Sequence, residues 1–257
     1  MFMNLKYYKV SVYGISDKGL VRSNNEDFWT HVHELDFVVL TDGMGGHRAG
    51  EVAAREAAKA LCEHLQQTLA IAGPSLSIDE AHGLIQLSIE HANHTVYELS
   101  KAEKEWRGMG TTLCCLLCHP QGIIYAHVGD SRIYRLHNAR LRQLTKDHSL
   151  LRELVDLGQV NERSKDKFIY KNIITKAVGT EKSVEPSVHI SDVAKNDIYL
   201  MCSDGLTDML STKEIESVLN SIQNIEVAAH ILVAKANEKG GHDNITLVIV
   251  KIDETRE

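Results

Sequence analysis

Five short motifs rich in carboxylates are spread along the chain: Arg22-Ser-Asn-Asn-Glu26-Asp27, Thr41-Asp42-Gly43-Met44-Gly45-Gly46, Val128-Gly129-Asp130-Ser131-Arg132, Ser203-Asp204-Gly205 and Gly241-His242-Asp243-Asn244. Carboxylates ordinarily stay on the solvated surface. Several of these instead follow an apolar, strand-like run directly. Residues 37–40 lead to Asp42, 123–128 to Asp130 and 198–202 to Asp204. If those strand ends converge, the carboxylates share one small space, and like charges in a low dielectric cannot all stay ionised without compensation. A divalent cation supplies it most readily. An all-oxygen ligand set selects a hard ion such as Mg²⁺ or Mn²⁺ over zinc.

The elements that must position these residues are legible from hydrophobic periodicity. Strands are expected over 10–15 and 37–40, then a helix over 51–69 with apolar residues recurring at three and four, and Gly50 before it as a tolerated N-cap. A second helix is expected over 78–101, with Asp79 and Glu80 suited to its first turn. Short strands follow over 111–118, 122–128, 132–136 and 141–144, joined by turn residues at 119–122 and 137–138. Consecutive short strands with tight turns mean antiparallel sheet. Residues 147–178 are polar and charged, with a short helix near 150–157, and read as an inserted flap or lid. Strands over 188–190, 197–202 and 245–251, and helices over 212–220 and 226–238, complete the chain. The expected class is α+β: a central β-sandwich of two antiparallel sheets with a helix pair on each outer face, each helix having one apolar stripe.

With 257 residues, 43% hydrophobic and 25% charged, the composition is that of one globular domain, and no linker or internal repeat is visible. The net charge of −7 argues against a nucleic-acid surface. No apolar run approaches the roughly 20 residues of a membrane span, and the N-terminus lacks the apolar core of a signal peptide. A cytoplasmic location is the expectation. Cys114, Cys115 and Cys118 lie on one expected strand, where Cys115 and Cys118 point to opposite faces. Cys114 and Cys118 stand about 13 Å apart at strand rise. They read as buried small residues of a reducing compartment, not as a metal knuckle.

The motifs resemble those of the type 2C, metal-dependent serine/threonine protein phosphatases in their compact bacterial form. The resemblance runs from about Gly14 to Val250 and includes Gly14 to Asp27, Asp42-Gly-Met-Gly-Gly46 with Ala49-Gly-Glu-Val52, Gly129-Asp-Ser-Arg132, Leu144-Thr-Lys-Asp-His-Ser149, Ser203-Asp-Gly-Leu206 and Asp243-Asn244, in the family's order. It implies the same β-sandwich fold and a centre of two Mn²⁺ or Mg²⁺ ions. Asp42 would bridge both ions, the Gly43 carbonyl and Glu26 would hold one, and Asp204 and Asp243 the other. Asp130, with Asp204, matches a third and weaker metal position. Asp27 would act as base or orienter for the attacking water, and Arg22 would clamp the phosphate, because a guanidinium fork matches two phosphate oxygens. Two such ions lower the pKa of a shared water, whose hydroxide attacks phosphorus in line.

The implied substrates are phosphorylated proteins, the implied counterpart a serine/threonine kinase, and the implied state a monomer without nucleic-acid or membrane partners. Phosphorylated small metabolites stay open as substrates, because such a centre reads phosphate rather than peptide. A catalytically silent module on the same fold would show eroded ligands, and the principal ones are intact. Asp130 also suits a side-chain turn cap, Arg132 a structural ion pair and Asn244 a turn-holding role. Two departures stand out. Met44 occupies the place where many eukaryotic relatives carry a general-acid histidine, with His47 nearby, and 161–170 matches the bacterial flap pattern poorly.

Overall fold

Residues 37–40 carry no polar side chain, and their place in the molecule explains it. Phe37 and Val39 pack towards one pair of helices, while Val38 and Leu40 face a second sheet; all four are fully buried. A strand in the middle of a layered molecule has no solvated face, so it loses the alternation that a half-exposed strand shows.

The computed structural model describes residues 8–45, 49–73, 75–161 and 173–255. Its strands are β1 (Tyr8–Asp17), β2 (Asp27–Val32), β3 (Phe37–Met44), β4 (Gly110–Thr111), β5 (Leu113–His119), β6 (Gly122–Val128), β7 (Arg132–His137), β8 (Arg140–Gln143), β9 (Ser187–Ser191), β10 (Ile198–Cys202) and β11 (Ile245–Thr255). The helices are α1 (Ala49–Ala72), α2 (Ile78–Ala102), α3 (Leu150–Asp156), α4 (Asp204–Thr207), α5 (Thr212–Ser221) and α6 (Ile225–Glu238). One sheet runs β1-β11-β10-β7-β8. The other runs β2-β3-β5-β6-β9, with β4 paired to β3. The pairings are antiparallel.

Three apolar layers hold this stack together. Between the sheets lie Val38, Leu40, Leu116, Ile133, Tyr199, Met201 and Val248. The stripes of α1 and α2 (Ala53, Leu61, Leu65, Ile85, Ile89, Val96) cover the outer face of the β3 sheet. Leu206, Ile215, Leu219, Leu232 and Ala236, from α4, α5 and α6, cover the other sheet. Each fully buried Leu or Ile contributes about 1.5–3 kcal/mol. The α-β-β-α sandwich expected from the sequence is the observed architecture.

The local chemistry of the ends accounts for most boundaries. Ser77 and Glu80 form a reciprocal capping box on α2, and Ser211 and Glu214 do the same for α5. The β7–β8 hairpin turns on Asn138 and Ala139, both in left-handed backbone, which matches the twist of the flanking strands. On β5, Cys115 faces the α1–α2 layer while Cys114 and Cys118 face the second sheet.

Three expectations are corrected. β2 was not read from the sequence, because this edge strand is only half-buried and carries Asp27, Thr30 and His31 among its apolar residues. β3 continues past Leu40 to Met44, so Asp42 and Gly43 sit inside the strand and not in a loop after it. Gly50 lies within α1 and does not cap it; its missing side chain makes room for the Glu26 carboxylate. Of the expected flap, α3 and 173–178 are described, while 162–172 and His47 lie outside the described residues. Among the described residues no helix is long and apolar enough to cross a membrane.

Candidate metal centre

Two of the expected site residues face each other across a strand pair. In the β2–β3 ladder Asp27 is the cross-strand partner of Asp42. Like charges directly opposite are unfavourable in a sheet, and here the strand ends are also enclosed. The main chain of Asp42 is held on its other side by the segment leading into β5. Its N–H donates to Thr112 Oγ1 at 3.1 Å, and its carbonyl accepts from Thr112 N–H at 2.8 Å and from Thr111 Oγ1 at 2.8 Å.

Gly43 and Gly50 bring the start of α1 against this strand. A Cβ on Gly43 would collide with the Gly50 carbonyl, and one on Gly50 would lie 2.6 Å from Glu26 Oε2. The absence of both side chains lets the Glu26 carboxylate sit beside the Gly43 backbone, whose N–H donates to Glu26 O at 3.1 Å. Asn24 Nδ2 donates to Glu26 Oε1 at 3.1 Å. Glu26 N–H in turn donates to Asn244 Oδ1 at 2.9 Å, and Asn244 Nδ2 donates to the carbonyls of Lys18 and Asn24 at 2.9 Å each. Asn244 therefore ties the Arg22–Asp27 loop to the Asp243 loop, the turn-holding role its position suggested.

Asp204 stands at the first position of α4, straight after β10. Asp130 stands in the turn between β6 and β7. Asp243 precedes β11 and accepts from Asn244 N–H at 2.8 Å and from Arg22 Nη2 at 2.6 Å. Arg132 is spoken for by Asp147, which accepts from its Nε and Nη2 at 3.0 and 2.7 Å, so it is a structural ion pair.

The charges at these strand ends act on one another. Asp42 is held well above the usual carboxylate range, first by burial and then by the charges of Asp27, Asp204, Asp130 and Asp243. Asp204 is raised in the same way, by burial and then by Asp130 and Asp243. Burial, ahead of partly offsetting hydrogen bonds, pushes Asp27 up to about 6. Burial, then Asp147, pushes Asp130 up to about 6. Burial also raises Glu26. The charges are thus mutually unfavourable, and two buried oxygens, Asp27 Oδ1 and Asp130 Oδ1, have no hydrogen-bond partner among the described residues. Orphaned buried carboxylate oxygens in a cluster of like charges are what a cation would satisfy.

Among the described residues, no three His, Cys, Asp or Glu side chains gather closely enough to hold an ion by themselves. Few protein ligands per ion, all of them oxygen, fit a cation that keeps much of its water, as Mg²⁺ does; they do not fit a closed cage of side chains. Beside Asp130 and Asp204 opens a cleft of about 850 Å³, lined also by Tyr134, Lys146, Arg152 and Leu210.

Residues 19–236 match the protein phosphatase 2C family. The chain belongs to that family. It is 37% identical over 244 residues to the serine/threonine phosphatase Stp of Listeria monocytogenes, a match that covers 94% of this chain and 95% of the relative. The crystal structure of the Mycobacterium tuberculosis serine/threonine phosphatase PstP/Ppp superposes with a TM-score of 0.85 at 33% identity, covering 95% of this chain and 99% of that one. A PstP catalytic domain solved in complex with two manganese ions has a TM-score of 0.82 at 32% identity, over 95% of this chain and 99% of that chain.

Within this 2C phosphatase fold, several residues that shape the site escaped the sequence reading. Thr111 and Thr112 hold Asp42, and Thr112 Oγ1 shares a 2.7 Å hydrogen bond with Ser131 Oγ, next to Asp130. Ser203 Oγ donates to Asp27 Oδ2 at 2.8 Å and accepts from Thr246 N–H at 3.0 Å. Ser203 belongs to the Ser203-Asp204-Gly205 motif. Thr111 and Thr112 looked only like the start of a β-strand, since one hydroxyl in a β-prone run says nothing about its partner.

Proposed function

We propose that this chain is a metal-dependent phosphoprotein phosphatase that removes phosphate from phosphoserine and phosphothreonine. One observation carries the reading of the site. Asp27 and Asp42, opposed across β2 and β3, share a single electrostatic cluster with Asp204, Asp130 and Asp243, and Arg22 reaches into it. Asp42 would serve both of two Mn²⁺ or Mg²⁺ ions, with the Gly43 carbonyl and Glu26 on one and Asp204 and Asp243 on the other. Asp130 and Asp204 would serve a third, weaker one. When bound, such ions acidify water and offset the charge that builds on a transferring phosphoryl group.

The chain's own residues supply the rest. Ser203 holds Asp27 Oδ2, which leaves the unpartnered Oδ1 to take or orient a proton of the attacking water. Arg22 is half-exposed and tethered to Asp243, so its guanidinium stands at the rim, where it can also receive two phosphate oxygens. Met44 cannot donate a proton, and the leaving oxygen takes its proton from water. The finer readings belong to the same proposal: a serine/threonine kinase as counterpart, a monomer, a single catalytic domain and a cytoplasmic location. Family membership supports the kinase counterpart and the single catalytic domain, and the net charge of −7 speaks against a nucleic-acid partner.

The test is hydrolysis of p-nitrophenyl phosphate with Mn²⁺, with Mg²⁺ and with chelator, beside Asp204→Ala. A panel of phosphopeptides, sugar phosphates and nucleotides follows. Metal-dependent turnover lost in the variant, with phosphopeptides preferred, is the expected result. A folded chain inactive with either metal would sink the proposal, and preference for sugar phosphates would redirect it to small metabolites.

A further inference from the structure

The Asp130 carboxylate has a buried Oδ1 without a hydrogen-bond partner among the described residues, so the main chain of its turn sets its direction. That turn is gripped from two sides. On one side, Ser131 Oγ meets Thr112 Oγ1 at 2.7 Å. Gly129, at φ 99°, presses so closely on the same Thr112 that a Cβ would come within 2.8 Å of it. On the other side stands His148. Its N–H donates to the Gly129 carbonyl at 2.9 Å, and its Nδ1 accepts the Gly129 N–H at 3.2 Å.

A backbone amide can only donate, so Nδ1 must carry a lone pair and the ring proton sits on Nε2. Nε2 then donates to Ser187 Oγ of β9 at 3.1 Å. The ring is stacked on His127, with centroids 4.5 Å apart and planes inclined by 18°, and His127 Nε2 is itself anchored 2.8 Å from the Lys146 carbonyl. One residue therefore occupies both polar groups of the residue before Asp130, its main-chain N–H the carbonyl and its imidazole, in one tautomer, the amide, and the orientation of that ring is fixed by β6 and β9.

We infer that His148 is a positioning residue of the metal centre: by holding both polar groups of Gly129 it fixes the turn that aims Asp130 at the site shared with Asp204. The inference rests on the proposed reading of Asp130 and Asp204 as ion ligands. A histidine that merely fills space beside His127 would act through its ring, whereas this one acts through Nδ1.

The experiment compares His148→Asn, whose Oδ1 stands in for Nδ1, with His148→Gln, whose amide nitrogen stands in for Nε2 towards Ser187 while its Oε1 lies one bond further out than the Nδ1 that Gly129 requires, and with His148→Ala. Mn²⁺ binding to the purified full chain is counted by calorimetry and by the paramagnetic resonance of free Mn²⁺. The expected result is a weakest class of bound Mn²⁺ whose affinity falls roughly tenfold or more in the Gln and Ala variants and is restored in the Asn variant. The ¹⁵N spectrum of the wild-type imidazole should show Nδ1 unprotonated. Gln binding like the wild type, or Asn binding as weakly as Gln, overturns the inference, as does a protonated Nδ1. If Ala fails to fold, the Asn and Gln pair still decides. Asp130→Ala and Asp42→Ala separate the two failures. If Asp130→Ala loses an ion and the His148 variants lose none, only the role of His148 is wrong. If Asp42→Ala keeps its full complement, the metal-centre reading itself falls.

Discussion

Asp27 lies directly across the β2–β3 ladder from Asp42, two carboxylates placed as a cross-strand pair at the enclosed end of a sheet. A sheet optimised for its own stability would set an opposite charge or an apolar pair there. The arrangement makes sense only if the cost is offset by something positive that arrives afterwards. It also gives the metal-free protein a definite dependence on pH.

In the metal-free chain, Asp27 and Asp130 titrate at about 6 when folded, against 3.8 ordinarily. Between those values the folded state binds more protons than the unfolded one. Stability of the chelated protein therefore falls as pH rises from about 4 through 6 and stays low above. Saturating Mn²⁺ opposes this by binding linkage, about 2.7 kcal/mol at a hundredfold excess over Kd. Melting temperatures measured from pH 4.5 to 7.5, with Mn²⁺ and with chelator, should diverge as pH rises. Parallel curves would count against converging carboxylates.

Arg22 is tethered to Asp243 at 2.6 Å, yet its side chain is 53% exposed. An exposed pair contributes about 0–1 kcal/mol to stability. Arg22→Ala should therefore leave the melting temperature nearly unchanged while lowering kcat/KM for a phosphopeptide on the order of 10²-fold, as removal of a group that neutralises developing charge does. Arg22→Lys should recover part of this, since it keeps the charge and loses the fork. Equal activity of wild type and alanine variant would remove Arg22 from the mechanism.

Gly43 and Gly50 meet with no room for a Cβ, because the atom in the way is a backbone carbonyl that no rotamer change can move. Gly43→Ala should cost about 1–3 kcal/mol or more through forced backbone displacement and also weaken Mn²⁺ binding, since Glu26 is held in the same contact. Urea unfolding and Mn²⁺ titration read the two effects separately. Gly83 in α2 has nothing within 4 Å of such an atom, and Gly83→Ala should be neutral or stabilising, as helix propensity alone would have it.

Ser203 is fully buried between Asp27 and the Thr246 amide. Ser203→Ala leaves the Thr246 N–H without its acceptor and should destabilise by about 1–3 kcal/mol. It also frees Asp27 to rotate, so kcat should fall more than KM changes. An intact kcat with lowered stability would make Ser203 a purely structural residue.

The layered architecture was legible because burial leaves a periodic trace. The stripes of α1 and α2 and the two-sided apolar run of β3 can be read at single-residue spacing. β2 was not legible, because an edge strand exposes one margin and carries Asp27 as an ordinary-looking charge. Gly50 misled for a related reason. A glycine near a helix start suits a cap, and only the Glu26 carboxylate packed against it shows why the position has no side chain.

The sequence by itself determined the composition of the site. Acidic residues placed at the ends of apolar strands supply the donor types that the proposed all-oxygen centre for a hard cation requires. What only the tertiary structure decided is which groups meet. Asp27 faces Asp42 because β2 and β3 pair in one register and not the next. Arg22 finds Asp243 across the whole length of the chain, and the Gly129–Asp130 turn is held by Thr112 and His148 from two other segments. Those contacts are set by sheet register and layer packing, which are long-range consequences of burying three cores at once and leave no mark on the spacing of neighbouring residues.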